Sequence, residues 1–225
     1  MEKKELHIQK IKLSLVLGFF LLALSQCTSD KPNNGGTDVK EKPKVVVKPS
    51  IKIPEFNADS AYHFIKAQVD FGPRVPNSKQ HLACAKYLEQ QLYNYADSAF
   101  IQYGTATTWD GVVLQMKNII GIFSPEKKKR VLLTAHWDTR PWADEDSTRS
   151  EEPILGANDG ASGVGVLLEI ARNLSIQQPE IGIDIIFFDA EDWGKSNHDH
   201  SYCLGSQYWA NNPHDPSYFE SALYG

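Results

Sequence analysis

Three short apolar runs, and an amphipathic stretch lying between two of them, set the fold class. Asn118 to Phe123 and Val131 to Ala135 are separated by a turn of Pro and Lys, the pattern of neighbouring strands buried inside a sheet. Ile183 to Phe188 is a third such run. From Ala161 to Leu174, Val164, Leu167, Leu168 and Ala171 recur at helical spacing, over about the length that a crossover between parallel strands requires. Strand, helix, strand in that order predicts an α/β domain with a mixed, mostly parallel twisted central sheet flanked by helices. Upstream, Asn57 or Asp59 caps a helix with Ala61, Phe64, Ile65 and Val69 on one face, stopped by Phe71, Gly72 and Pro73. Ser78 opens another, with Leu82, Ala85, Leu88, Leu92 and Tyr95 along one side, and Phe100 and Gln102 lie in an extended segment.

The amino terminus reads as an address. Lys3, Lys4, Lys10 and Lys12 precede an apolar stretch from Leu13 to Leu24, short for a bilayer span and well matched to a signal peptide. Leu24, Ser25, Gln26 and Cys27 resemble a bacterial lipobox, which implies a lipid on Cys27 and a membrane anchor in the cell envelope; Gln26 departs from the usual small residue. Ordinary secretion or an uncleaved anchor is the alternative. Thr28 to Ser50 is rich in Lys, Pro, Asn, Gly and Asp and cannot bury a core. The expected organisation is a signal peptide at 1–26, a tether at 27–50 and a catalytic domain at 51–225.

Charge excludes one class of partner. With 23 Lys and Arg against 28 Asp and Glu, and no basic stripe, a nucleic-acid backbone has nothing to bind. Lys127, Lys128, Lys129 and Arg130 read as a solvated turn. Three cysteines are too few and too scattered for a disulfide scaffold or a Cys-rich zinc module. Cys84 and Cys203 read as small buried residues rather than a bonded pair, although an oxidising compartment permits the bond.

Polar clusters stand where apolar elements end, and in open α/β sheets ligands bind at the carboxyl ends of strands. The first contains His136 and Asp138, two residues apart and so projecting to one side of an extended chain. In the second, Gly156 to Gly163, glycines surround Asp159 just before a helix start, whose free N–H groups favour an ionised carboxylate. Asp159 is either a metal ligand there or, like Ser162, a helix cap. The third crowds Asp189, Glu191 and Asp192 at the end of the most apolar strand, beside Trp193. Carboxylates so close repel unless a cation or a shared proton relieves them. A zinc ion satisfies one as a ligand and leaves another for general acid/base work. Three acidic clusters at three element junctions, one of them with a His, point to a metal site.

These motifs, His136-Trp-Asp-Thr-Arg-Pro, Gly156-Ala-Asn-Asp-Gly-Ala-Ser-Gly and Phe187-Phe-Asp-Ala-Glu-Asp, resemble the zinc aminopeptidase and glutaminyl cyclase superfamily, of zinc-exopeptidase-like fold. Arg140 to Asp144 and Tyr202 to Ser206 are most similar to bacterial glutaminyl cyclases, which convert amino-terminal glutamine to pyroglutamate with loss of ammonia. The resemblance implies Asp159 and Asp192 as zinc ligands, Glu191 as the proton-transferring residue, and His136 and Asp138 as active-site framework. One zinc is expected in the cyclase branch; in the two-zinc aminopeptidases the equivalent of His136 binds the second ion. Asp192 stands where the family pattern usually has Glu, one methylene longer, and remains a competent ligand. Trp137 or Trp142 would line the pocket for peptide or protein amino termini, or else pack. The resemblance also implies a further His ligand and another acidic residue beyond Gly225, so the carboxyl-terminal part reads as missing. His198, His200 and His214 read as exposed loop and are not assigned. The competing functions are an aminopeptidase, in which Glu191 activates water, and a non-catalytic peptide- or metal-binding lipoprotein.

Overall fold

A computed structural model describes residues 52–224, all within the unit Ile51–Gly225. The signal segment, Cys27 and the tether lie outside the described residues. Helix α1 spans Ala58–Asp70, with the Asn57 side chain accepting from the Ser60 N–H at 3.0 Å; α2 spans Lys79–Tyr95, with Ser78 Oγ accepting from the His81 N–H at 3.1 Å. Each cap satisfies one backbone donor that a helix start leaves free. The buried face of α2 is the expected one along Ala85, Leu88 and Leu92, but rotated at its start. Leu82 is 47% exposed, and His81 and Cys84 lie inside with Ala85, Leu88 and Leu92. Periodicity ranks His81 as polar, but a buried partner, Asp189, draws it inward.

Strands β1 (Ser98–Thr107) and β2 (Val113–Phe123) form an antiparallel hairpin from Ser98 opposite Ile122 to Thr107 opposite Val113. β2 starts five residues before the apolar run, where exposed Val113 and Gln115 alternate with buried Leu114 and Met116. Next come β3 (Arg130–His136), α3 (Ala161–Ile176) and β4 (Gly182–Phe188). Helix α4 (Leu204–Asn211), helix α5 (Tyr218–Ser221) and strand β5 (Ala222–Tyr224) complete the order.

The sheet order is β1-β2-β4-β3-β5. β2 and β3 are therefore not neighbours, as their short connection had implied. The chain crosses over through α3 and returns with β4 between them, parallel to β3 and antiparallel to β2. The sheet is mixed and flanked by helices, and among the described residues β3 pairs in parallel with β4 and with β5. Being central, β4 is the buried strand. Val131, Leu132, Leu133 and Ala135 of β3 are only half-buried, because β5 pairs β3 at Arg130 and Val131 alone among the described residues.

Alternation along the strands feeds two cores. Ile119, Phe123, Ile185 and Phe187 pack with Leu88 and Leu92 of α2 and Val164 and Leu168 of α3; Ile120 and Ile186 pack on the other face with Trp209 of α4 and Tyr218 of α5. Each such side chain, fully buried, contributes about 1.5–3 kcal/mol.

Arg130 is no part of a solvated turn. Its Nε and Nη2 donate to the two Asp184 oxygens at 2.7 Å each, and Nη1 donates to Ser124 O at 2.8 Å, all buried between β3 and β4. His214 is likewise not an exposed loop residue: it is half-buried and accepts the Trp209 Nε1–H at 3.0 Å. His198 and His200 are exposed. Cys84 is wholly buried, Cys203 half-buried, and neither is bonded.

Candidate metal and proton-transfer site

The parallel register brings His136 opposite Phe188, so β3 and β4 end side by side and the loops that follow them share one sheet edge. The start of α3 meets the same place. Gly160, at φ +92, caps the helix, and a Cβ there would lie 2.8 Å from Asp138 O and 3.3 Å from His136 Cε1. Only glycine allows both that conformation and that approach. With Gly160 as the cap, neither Asp159 nor Ser162 is consumed by capping: Ser162 Oγ donates to Asn158 O, and the Asp159 side chain turns to His136.

Acidic groups surround the imidazole. His136 Nε2 is 2.9 Å from Asp159 Oδ1, and Nδ1 is 3.4 Å from Asp138 Oδ1 and 3.8 Å from Glu191 Oε2. Burial pulls the ring's pKa down, but the facing Asp138 carboxylate, joined by Glu191 and Asp159, outweighs it and raises the value to about 9.

Asp138 organises the two residues after it in space. Wholly buried, it accepts the Glu191 N–H on Oδ1 at 3.0 Å and the Asp192 N–H on Oδ2 at 3.2 Å. The bend that presents them passes through Ala190 at φ 51, a conformation costing about 1–2 kcal/mol for an L-residue. The start of α4 holds that bend: Cys203, Leu204 and Gly205 donate their N–H groups to the carbonyls of Glu191, Ala190 and Asp189.

Asp192 is 8% exposed. Arg140 Nη1 donates to its carbonyl at 3.0 Å and stands 3.4 Å from Oδ1, while Oδ2 is buried with no hydrogen-bond partner. Burial, then the charges of Asp138, Asp159 and Glu191, push its carboxyl up to about 7 against the pull of Arg140. A buried oxygen without a partner, in a cluster already too negative, is what a divalent cation relieves. The oxygen donors of Asp159 and Asp192 therefore fit zinc as part of its shell. Among the described residues no three His, Cys, Asp or Glu side chains form a complete metal cluster.

Two expected site residues behave differently. Trp137 is wholly buried, stacked on His81 at 4.4 Å between ring centroids and donating Nε1–H to Lys117 O at 3.1 Å. The alternation that faces His136 and Asp138 into the site turns Trp137 into the core, so it lines no substrate pocket. Trp142 is half-buried, 6.3 Å from Trp109 and 5.6 Å from Trp193, with the Arg140 guanidinium 5.6 Å from its ring. Asp189 faces away from the other carboxylates. It sits 2.9 Å from His81 Nε2 and accepts the Lys117 and Ala190 N–H groups, and burial raises its pKa.

His81 supports Asp189, while Arg74, Arg140 and Cys203 contact the loops of this site; none was given a role in it from sequence. Each meets its partner across 50 residues or more, except Cys203, twelve residues from Glu191. Gly72 and Pro73 marked only the helix stop before Arg74, while Arg140 and Cys203 lay within the segments Arg140 to Asp144 and Tyr202 to Ser206.

Residues 118–223 match the family described as peptidase family M28. The glutaminyl cyclase of Bacteroides thetaiotaomicron, solved with N-acetylhistamine, superposes with a TM-score of 0.74 at 54% identity, over 77% of this chain and 62% of that one. A Zn-dependent exopeptidase from Parabacteroides distasonis gives a TM-score of 0.73 at 50% identity, over 77% and 61%. The glutaminyl-peptide cyclotransferase of Bos taurus is 30% identical over 130 residues, 53% of this chain and 35% of its own. The chain thus spans less than two thirds of the length of each.

Proposed function

We propose, from the peptidase family M28 domain that residues 118–223 carry, that this chain provides most of the active site of a zinc-dependent glutaminyl-peptide cyclotransferase. It would act on peptide or protein amino termini, cyclising glutamine to pyroglutamate with release of ammonia. The observation that carries the reading is the likeness, at 54% identity, to a solved bacterial glutaminyl cyclase. His136 is set among carboxylates as framework of the site: Nε2 lies 2.9 Å from Asp159 Oδ1, and Nδ1, buried without a hydrogen-bond partner, lies 3.4 Å from Asp138 Oδ1. One zinc, held by Asp159 and Asp192, suits cyclisation; the two-zinc aminopeptidase would need His136 as a ligand.

Zinc, when bound, supplies Lewis-acid polarisation of the glutamine side-chain carbonyl. The remaining work falls to the chain's own groups. Glu191 accepts the proton released as the peptide's α-amine forms its new bond to the side-chain carbon, and returns it to the nitrogen that leaves as ammonia. Cys203 Sγ–H, 3.4 Å from Glu191 Oε1, holds one oxygen so that the other faces the site. Asp138 fixes the backbone of the Glu191–Asp192 pair, and His136 orients Asp159.

Export on residues 1–26 and lipid attachment at Cys27 belong to the same proposal, supported by the lysine-flanked apolar segment and by Leu24-Ser25-Gln26-Cys27. One experiment addresses all of this. Full-length protein taken from the membrane fraction is assayed for ammonia release from a peptide with amino-terminal glutamine, beside a Glu191→Gln variant. We expect activity from the parent and a loss of about 10²–10⁴-fold in the variant. Release of free amino acids with two zinc ions per site would replace the cyclase by an aminopeptidase, and recovery from the soluble fraction would remove the lipid anchor.

A further inference from the structure

Arg74 follows the Gly72-Pro73 stop of α1 and is wholly buried, yet no carboxylate hydrogen-bonds to it. Its guanidinium spends its donors on three backbone carbonyls. Nε donates to Trp137 O at 3.0 Å, Nη1 to Leu155 O at 2.7 Å and Nη2 to Gly156 O at 2.8 Å. Its own carbonyl accepts the Thr139 N–H at 3.3 Å. Trp137 lies between His136 and Asp138, while Leu155 and Gly156 lead into the turn that carries Asp159. One side chain thus grips both loops, at the backbone, within a few residues of three groups of the site.

Charge alone does not account for this arrangement. Desolvating a guanidinium is costly, and the three carbonyl acceptors offset that cost; an apolar side chain of the same volume would leave them unpaired. What the guanidinium has and an apolar side chain lacks is a rigid planar fork, which fixes its acceptors relative to one another. Gly156 shows how closely the junction is set: at φ +57, a Cβ there would lie 2.5 Å from Thr139 Cγ2, 2.6 Å from Asp159 O and 3.0 Å from Arg74 Nη2.

We propose that Arg74 is a positioning residue of the metal site, setting the loop of His136 and Asp138 against the loop of the ligand Asp159. This rests on the zinc reading given above. The test is the zinc affinity of the folded full-length protein, measured by competition with a chromophoric chelator, so that the readout does not depend on turnover. Arg74→Lys keeps the charge and loses the fork; it should bind zinc on the order of 10- to 100-fold more weakly, the usual effect of removing a group that orients a ligand. In Arg74→Ala, added guanidinium ion should restore part of the affinity and ammonium ion should not.

Arg74→Gln, which keeps a planar donor, serves if Arg74→Lys and Arg74→Ala do not fold; it should weaken zinc binding as well. Parent and variants binding zinc within twofold of one another would overturn the positioning role alone. A parent that binds no zinc would overturn the metal reading and this inference with it.

Discussion

At the scale of single residues, Cys203 connects a helix start and thiol chemistry to the proposed proton-transfer residue Glu191. Its φ of 59 places the backbone N–H on Glu191 O at 2.9 Å and the Sγ–H against Glu191 Oε1. Burial, then the hydrogen bond to Glu191 and the charges of Glu191, Asp138 and Asp192, push its pKa up to about 11. Cys84, wholly buried, is pushed up to about 12, chiefly by desolvation. The thiolate is the reactive form, so at pH 8 Cys203 should react with a disulfide reagent roughly 100-fold, and Cys84 roughly 1000-fold, more slowly in the native protein than in denaturant. Cys203→Ser, which keeps a donor, should retain most of kcat, and Cys203→Ala should lose several-fold with KM little changed. Native Cys203 labelling as fast as a free thiol would mean that it does not donate to Glu191. The groups at the heart of the candidate site were legible in the sequence because each lies at an element junction: His136 ends β3, Asp159 precedes α3 and the acidic pair follows β4. What supports them was not, because Cys203, Arg140 and Arg74 are defined by carbonyls and carboxylates that only the folded loops bring near.

Elements were legible wherever apolar spacing was decisive. The start of α1 at Asn57, the start of α2 at Ser78, the crossover helix and the buried strand β4 all follow from residue pattern. Strand order did not follow, because a short connection between β2 and β3 is equally compatible with a third strand inserted between them, and that strand is supplied from 46 residues beyond the end of β3. Polar residues inside the sheet were invisible for a related reason. Arg130 ends a lysine run and Asp184 interrupts an apolar one, and only the parallel register of β3 and β4 sets them side by side. Removing one partner strands the other in the core, which typically costs about 3–5 kcal/mol. Arg130→Gln should lower the urea unfolding free energy by that order, and replacing both residues with apolar ones of similar volume should recover much of it. A loss in Arg130→Gln no larger than that of an exposed lysine would show that the pair is solvated.

On the scale of the whole molecule, acid should loosen the fold through two groups on opposite faces of the sheet. Glu169 on α3 accepts Nε and Nη2 of Arg172 at 2.7 and 2.6 Å, the Asn57 N–H at 2.8 Å and Asn173 Nδ2 at 3.0 Å, tying the crossover helix to the start of α1. The Arg172 hydrogen bonds, foremost among these, hold its carboxyl below the usual 4.5. His214 packs against Trp209 and Tyr218, and burial lowers its pKa from 6.5. Both folded-state values are depressed, so the unfolded chain binds the proton more readily in each case. The stabilisation is complete above the unfolded value and is lost as pH falls through the folded one. For His214 that loss develops below about 6.5, and for Glu169 below about 4.5, the ordinary values from which each is shifted. His136 and Asp192 are shifted the other way and oppose the trend, so the informative quantity is a difference between proteins. The stability advantage of the parent over His214→Gln should shrink as pH is lowered from 7.5 to 5.5, and its advantage over Glu169→Gln should persist to pH 5 and shrink below it. Urea unfolding at fixed ionic strength reads both differences. An advantage over His214→Gln that grows on acidification would mean that His214 is protonated in the fold, and that the Trp209 Nε1–H does not rest on its ring nitrogen.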